Sequence, residues 1–302
     1  TISNTSSVRP TLTALKNITN DNLCAVKIHS TKVVKGTDPS PNYPPESGWQ
    51  AITLPDQWQT RWPDYNGTVW YLIEILEPAC NDVKRQPFTL QVDYINMAGA
   101  VYLNGEMIWR DEHLKEPLSR SWNMPRYWVL PASSLQNGIN QVWVKVIGVG
   151  PQGAGLGKFQ FGKPAAMLTK HKKTVWDRRT IFLINIISSL TLGCISFSVW
   201  LFRTKETEYG WFALSCGFWI LFVFNVLDTT TYPFSDTYQL AKVNMLFFLG
   251  YIYSFCIYTW RFAHRRYYRT EKAFLIAVII SALLIIIIDT PNIQPMLTAV
   301  FI

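Results

Sequence analysis

The chain has 302 residues, 49% of them hydrophobic and 16% charged, with a formal net charge of +8. These averages conceal two unlike halves, one polar and rich in Trp, Pro and Gly up to Arg179 and the other built of long apolar runs from Thr180, a split that excludes a single soluble globular protein. Aromatic residues at 15% exclude a disordered chain. The basic surplus sits in short clusters beside the apolar runs (Lys170, Lys172, Lys173, Arg178, Arg179; then Arg265, Arg266, Arg269), where lipid head groups rather than nucleic acid are the expected anionic neighbours.

Residues 1–44 read as an N-terminal extension. From 45 to 165 short alternating runs separated by turn residues predict strands: TVWYLIEILE (68–77), FTLQVDYI (88–95), GAVYLNGEMIW (99–109) and NQVWVKVIGV (140–149) are all rich in β-branched and aromatic residues. Asn104-Gly105 is a two-residue hairpin signal, since both central positions of a type I′ turn need positive φ, and Asn137-Gly138 marks a second turn. Many short strands with turns between them predict an all-β domain, a jelly roll or β-sandwich. The glycine run 148–162 lacks the strand–GxxxxGK[ST]–helix context of a phosphate cradle and reads as a flexible loop closing the sandwich.

Four pieces in fixed order carry a resemblance: a GWQAITLPDQWQTRWPDYNG opening, a TVWYLIEI strand, a VYLNGEMIWRDE hairpin and a closing RYWVLPASSLQNGINQVWVKV. Over residues 45–162 the chain resembles the galactose-binding-like jelly roll at the front of family 2 β-glycosidases. It departs from those enzymes because no catalytic barrel follows.

Eight of the thirteen tryptophans fall between Trp49 and Trp143, and aromatic faces can stack on sugar rings, so this half is where a ligand surface is sought. Trp58, Trp62 and Tyr65 lie in a Pro-containing, loop-like stretch, and Trp122 in another, which makes them candidates for an exposed platform; Trp70, Trp109 and Trp143 sit in strands and read as core. Asp111 begins an acidic cluster with Glu112 and His113, and Arg120 and Arg126 flank the Trp122 loop, so Asp111 and Arg126 are candidate partners for sugar hydroxyls or an acidic sugar. A solvated loop of mixed charge is the competing account. No carboxylate pair can be placed at glycosidase separation, and no catalytic role is assigned. The histidines at 29, 113, 171 and 264 are far apart, so no metal or cofactor is expected. Asn4, Asn17 and Asn66 sit in N-x-[ST] sequons. Cys24 and Cys80 are the two cysteines outside the apolar runs and are expected to pair in an oxidising compartment, with two buried free thiols as the alternative. Cys194, Cys216 and Cys256 fall in apolar runs and read as small hydrophobes.

Residues 166–179 read as a linker, and 180–302 as membrane helices at 180–202, 211–227, 243–260 and 273–288, with an incomplete run at 296–302. A span needs about 20 apolar residues, so this last run is too short and the chain is expected to continue. Arg203 and Lys205 in one loop, and Arg261, Arg265, Arg266, Arg269 and Lys272 in another, place loops 203–210 and 261–272 in the cytoplasm and residues 1–179 outside. A start at Thr1 fits a removed signal peptide. A jelly roll followed directly by spans resembles the bacterial seven-transmembrane receptors with diverse intracellular signalling modules. That resemblance implies further spans and a cytoplasmic histidine kinase or diguanylate cyclase. The expected protein is the front part of an inner-membrane sensor. Its expected partners are membrane lipid and a carbohydrate or periplasmic protein ligand; homodimerisation is left open. A membrane-anchored binding module without signalling output is the second reading. A transporter ranks third, because no Asp, Glu or Arg sits mid-span.

Overall fold

A computed structural model describes residues 28–36, 43–62, 65–76 and 87–287. The N-terminal extension before Ile28, the Cys24–Cys80 pairing, the sequons at Asn4 and Asn17 and the run 296–302 lie outside the described residues.

The N-terminal half is β-rich. Its largest sheet has six strands: β1 (Ile28–Lys35), β2 (Gln50–Ala51), β4 (Asn66–Leu76), β7 (Ala98–Leu103), β8 (Glu106–Arg110) and β10 (Ile139–Val149). They follow the order β2-β1-β4-β10-β7-β8. At its centre β4 and β10 pair antiparallel along their whole length, from Ile139 opposite Leu76 to Val149 opposite Asn66. Alternation puts Val69, Tyr71, Ile73 and Ile75 on one face, each at most 1% exposed, where they meet Leu90, Val92 and Phe161 of a three-stranded sheet in a common core. That second sheet contains β5 (Phe88–Val92), β9 (Arg126–Leu130) and β12 (Phe159–Gly162) in the order β12-β5-β9. A small third sheet joins β3 (Asp56–Gln57), β11 (Gly155–Leu156) and β6 (Ile95–Asn96). The predicted hairpin joins β7 to β8, with Asn104 at φ 50° and Gly105 at φ 91°.

The glycine run departs from its reading as a flexible loop, because β11 and β12 form within it. Gly155 is required there: a Cβ would stand 2.1 Å from the carbonyl oxygen of Asp56, so only glycine lets β11 approach β3.

The segment 166–179 is also not an irregular linker. Helix α1 (Pro164–Val175) opens with Pro at its first turn and runs through a π-helical turn, Trp176–Thr180, into α2 (Ile181–Phe202). The result is one helix of 39 residues, about 58 Å long. Met167, His171 and Thr174 recur at helical spacing and face the β domain. Met167 is fully buried against Gly162, His171 lies 5.3 Å from the Tyr127 ring, and Thr174 accepts a long hydrogen bond from Gln91 at 3.5 Å. With α1 covering its second face, every residue of β5 is buried.

Helices α3 (Thr207–Leu227), α4 (Thr237–Phe262) and α5 (Tyr268–Ile287) follow. All four helices that contain the apolar runs are long and apolar enough to cross a membrane. They keep large side chains such as Ile187, Leu190 and Ile280 about half exposed, as water would not tolerate and lipid would. Three begin earlier than read, α3 at 207, α4 at 237 and α5 at 268; at α4 the cause is the Asp236 carboxylate, which caps the Tyr238 N–H at 3.0 Å. Helices α2 and α3 approach closely at Gly193, where a Cβ would meet that of Cys216 at 2.9 Å. The β domain rests on one end of this bundle. At the other end the basic α2–α3 and α4–α5 loops lie side by side.

Candidate functional site

The site is built on the loop from Asp111 to Pro125, which joins β8 to β9 and sits between the β domain and the helices. Its anchor is the Asp111 carboxylate. Oδ2 accepts the Gly99 N–H at 2.8 Å, and Oδ1 accepts the Ser121 hydroxyl at 2.6 Å and the Arg126 guanidinium at 2.8 Å. Arg126 also donates to the Met124 carbonyl at 2.9 Å and stacks on Trp109, its guanidinium 3.9 Å from the ring centroid. Burial pushes the Asp111 carboxyl up and the Arg126 guanidinium down despite their pairing, so desolvation of each outweighs the attraction of the other.

The same loop docks on the helices. Arg120 donates its backbone N–H to the Thr229 carbonyl at 2.8 Å and its guanidinium to the Asn225 carbonyl at 3.3 Å. Burial there lowers the Arg120 pKa to about 10, against the pull of Asp228. Glu116 accepts the Thr237 hydroxyl at 2.7 Å at the start of α4, Asn123 donates to the Arg178 carbonyl in the π turn, and Arg179 donates to the Leu227 carbonyl at 2.9 Å. Arg178 lies 4.8 Å from the Tyr94 ring centroid.

A cavity of about 530 Å³ opens at this junction. One wall is formed by the edge strands β8 and β9 of the two larger sheets, with Trp109 and Trp128 at 5.7 Å between ring centroids, together with Arg110, Asp111, Glu112, His113 and Arg126. A second is His171 of α1, and a third is Thr229 and Thr230 of the α3–α4 loop. The His171 Nδ1 is buried and has no hydrogen-bond partner among the described residues. Such a space offers flat apolar rings with hydroxyls, imidazoles and charged groups around them. Among the described residues no group of His, Cys, Asp or Glu is arranged to hold a metal.

The sequence candidates divide. Asp111 and Arg126 line the cavity, but their charged atoms are spent on each other and on the loop. Trp58 is a correction: it is fully buried, and its indole N–H goes to the Tyr71 hydroxyl at 2.8 Å, which in turn donates to Asp56 at 2.7 Å. A three-residue 3₁₀ turn, Trp58–Thr60, swings it inward, so it belongs to the core and not to an exposed platform. Trp62 and Tyr65 are half-buried against that core, 6.1 Å apart beneath Lys35, and neither lines the cavity. Trp122 is half-buried in the docking loop and does not line it either. Trp109, read as core, does pack against the core and lines the cavity as well. Trp128, His171, Thr229 and Thr230 line it too, and sequence reasoning missed them. Strand alternation places Trp128 and Arg126 on one face of β9, but nothing in the chain pattern brings β9 to α1 and the α3–α4 loop.

No family model matches the chain, and no curated protein matches it. Among solved structures it is similar to a calcium-binding mutant of Bacteroides uniformis β-glucuronidase 2, at 19% identity over 45% of this chain and 17% of that one, TM-score 0.34. It is similar as well to an uncultured Clostridium β-glucuronidase, at 19% identity over 40% and 22%, TM-score 0.30. A third is a glycosyl hydrolase family 2 member from Bacteroides cellulosilyticus, at 18% identity over 44% and 19%, TM-score 0.33. The chain spans 17–22% of the length of these structures, and at such TM-scores the likeness carries no argument about activity.

Proposed function

We propose that this chain is the front part of a membrane sensor in a bacterial inner membrane. The β domain is a galactose-binding-like jelly roll on the periplasmic side, a carbohydrate enters the junction cavity, and its binding shifts the helices toward a cytoplasmic histidine kinase or diguanylate cyclase of the full-length protein. The observation that carries this reading is the composition of the cavity walls: β8 and β9, α1 and the α3–α4 loop each contribute. A ligand that touches all three has a different affinity for each arrangement of them, which is the requirement for shifting a conformational equilibrium. The two tryptophans beside Glu112, His113 and Arg110 favour a sugar, with ring faces for its apolar side and polar groups for its hydroxyls. The basic loops gathered at the far end of the bundle favour a periplasmic β domain.

The test is hydrogen exchange on the chain in lipid nanodiscs, titrated with neutral and uronic-acid oligosaccharides. Protection is expected in β9 and in residues 228–236 together. Protection confined to the β domain selects the second reading, an anchored glycan-binding module without signalling output. Absence of binding by every saccharide removes the carbohydrate and leaves a periplasmic protein as ligand.

A further inference from the structure

The end of the bundle far from the β domain holds two adjoining cavities. The first, of about 540 Å³, lies between the α2–α3 and α4–α5 loops, and Lys205, Arg265 and Arg266 supply its basic lining. Arg261 also reaches it, but is held by Glu271 in a two-pronged ion pair at 2.6 and 2.7 Å. Glu206 is taken by Arg203 at 3.1 Å. Glu208 is the remaining carboxylate in the lining, so Lys205, Arg265 and Arg266 leave an excess of positive charge there.

The second cavity, of about 630 Å³, is an apolar groove between α2 and α3, walled by Phe197, Trp200, Trp211, Leu214 and Gly217. Thr207 lines both cavities, so the basic mouth and the apolar groove adjoin at that residue. Trp200 lies flat against Gly210, where a Cβ would come within 3.0 Å of the indole. At Gly217 a Cβ would meet nothing within 4 Å, so the groove is open there.

We infer that this pair of cavities is a binding site for one anionic phospholipid, its phosphate among Lys205, Arg265 and Arg266 and an acyl chain in the groove. The inference rests on the helices crossing a bilayer and not on the sensor reading. Charge complementarity selects the occupant. A zwitterionic lipid would leave the net positive mouth uncompensated, and a soluble anion would leave the groove unfilled. Basic clusters at a membrane surface attract anionic head groups in any case; the adjoining groove is what distinguishes a seated lipid from that diffuse attraction.

The experiment is native mass spectrometry of the chain released from detergent with added phosphatidylglycerol, phosphatidylcholine or sn-glycerol 3-phosphate. Phosphatidylglycerol is expected to be retained as a single adduct at least about tenfold more tightly than phosphatidylcholine. The variant K205Q/R265Q/R266Q is expected to lose that preference. Gly217→Phe, which introduces a large ring where a Cβ has open space, is expected to weaken phosphatidylglycerol retention while keeping the basic mouth. Equal retention of the two lipids would overturn the site, as would a triple variant that behaves like the parent. Binding of glycerol 3-phosphate as tight as that of the lipid, or an unchanged Gly217→Phe variant, would reduce the site to an anion-attracting surface and also overturn it. Melting temperatures of both variants in detergent are compared with the parent; if Gly217→Phe does not fold, Gly217→Leu replaces it.

Discussion

The side-chain amide of Asn123 donates to the backbone carbonyl of Arg178, which ties the docking loop of the β domain to the π turn of the long helix. A π turn interrupts the regular i to i−4 ladder, here at Trp176–Thr180. Arg179, the next residue, reaches the Leu227 carbonyl at the end of α3. The irregular turn is therefore the place where the β domain, the long helix and α3 are joined by hydrogen bonds.

Replacing Asn123 with Ala should remove its hydrogen bonds to the Arg178 and Val226 carbonyls and cost about 0.5–1.5 kcal/mol of docking stability. Faster hydrogen exchange in residues 111–126 and 228–236 is expected, with the central strands β4 and β10 unchanged. Uniformly faster exchange across the β domain would mean that Asn123 serves the fold and not the docking.

The Asp111–Arg126 pair predicts a strong asymmetry between single and double replacement. Both groups are 7% exposed at the side chain, so Arg126→Ala strands a buried carboxylate and should cost about 3–5 kcal/mol. The double variant Asp111→Asn with Arg126→Met removes both charges at similar volume and should cost less than Arg126→Ala alone. Thermal unfolding of the chain in detergent measures this cycle; additive losses would show that the two residues act separately.

A third expectation concerns pH. The Ser30 hydroxyl bonds to the Glu74 carboxylate and, with Lys32 nearby, holds it below the usual glutamate range. A carboxyl whose folded pKa is depressed contributes stability above its unfolded value of about 4.3 and loses that contribution as pH falls through the folded value. The difference in melting temperature between the parent and Glu74→Gln should thus be present at neutral pH and vanish in acid. A difference that stays constant down to the acid limit would rule out titration of Glu74 as its source.

Local chemistry made much of this protein legible. Asn104-Gly105 demands positive φ, and the apolar runs demand lipid or burial, so the hairpin and the four helices could be read directly. What escaped was set by contacts distant in sequence. Trp58 looked like a loop residue because nothing nearby reveals that Tyr71 waits in the core for its indole N–H. The stretch 166–179 looked like a linker because its basic residues mask the Met167–His171–Thr174 face that docks on β5 and β9. Asp111 and Arg126 were legible as separate candidate contacts for a sugar and not as partners of each other. Their role as the clamp of a docking loop depends on Gly99 and Ser121, which sequence spacing does not single out.

The same contrast between core and cavity gives the final prediction. Trp58 is fully enclosed and satisfies the Tyr71 hydroxyl, so Trp58→Ala should cost about 3–5 kcal/mol and lower the melting temperature severely. Trp128 is half-buried, and its ring faces the cavity beside Trp109. Trp128 also packs against the core, so Trp128→Ala should cost some stability, though less than Trp58→Ala, and lose saccharide binding. Trp62→Ala is the decisive control, because Trp62, Tyr65 and Lys35 form a separate aromatic and cationic surface away from the cavity lining. All three variants are melted and titrated with the same oligosaccharides in nanodiscs. Loss of binding in Trp128→Ala with retention in Trp62→Ala assigns the ligand to the junction. The reverse pattern would move the ligand to the Trp62 surface, and the junction cavity would lose its role as the ligand site.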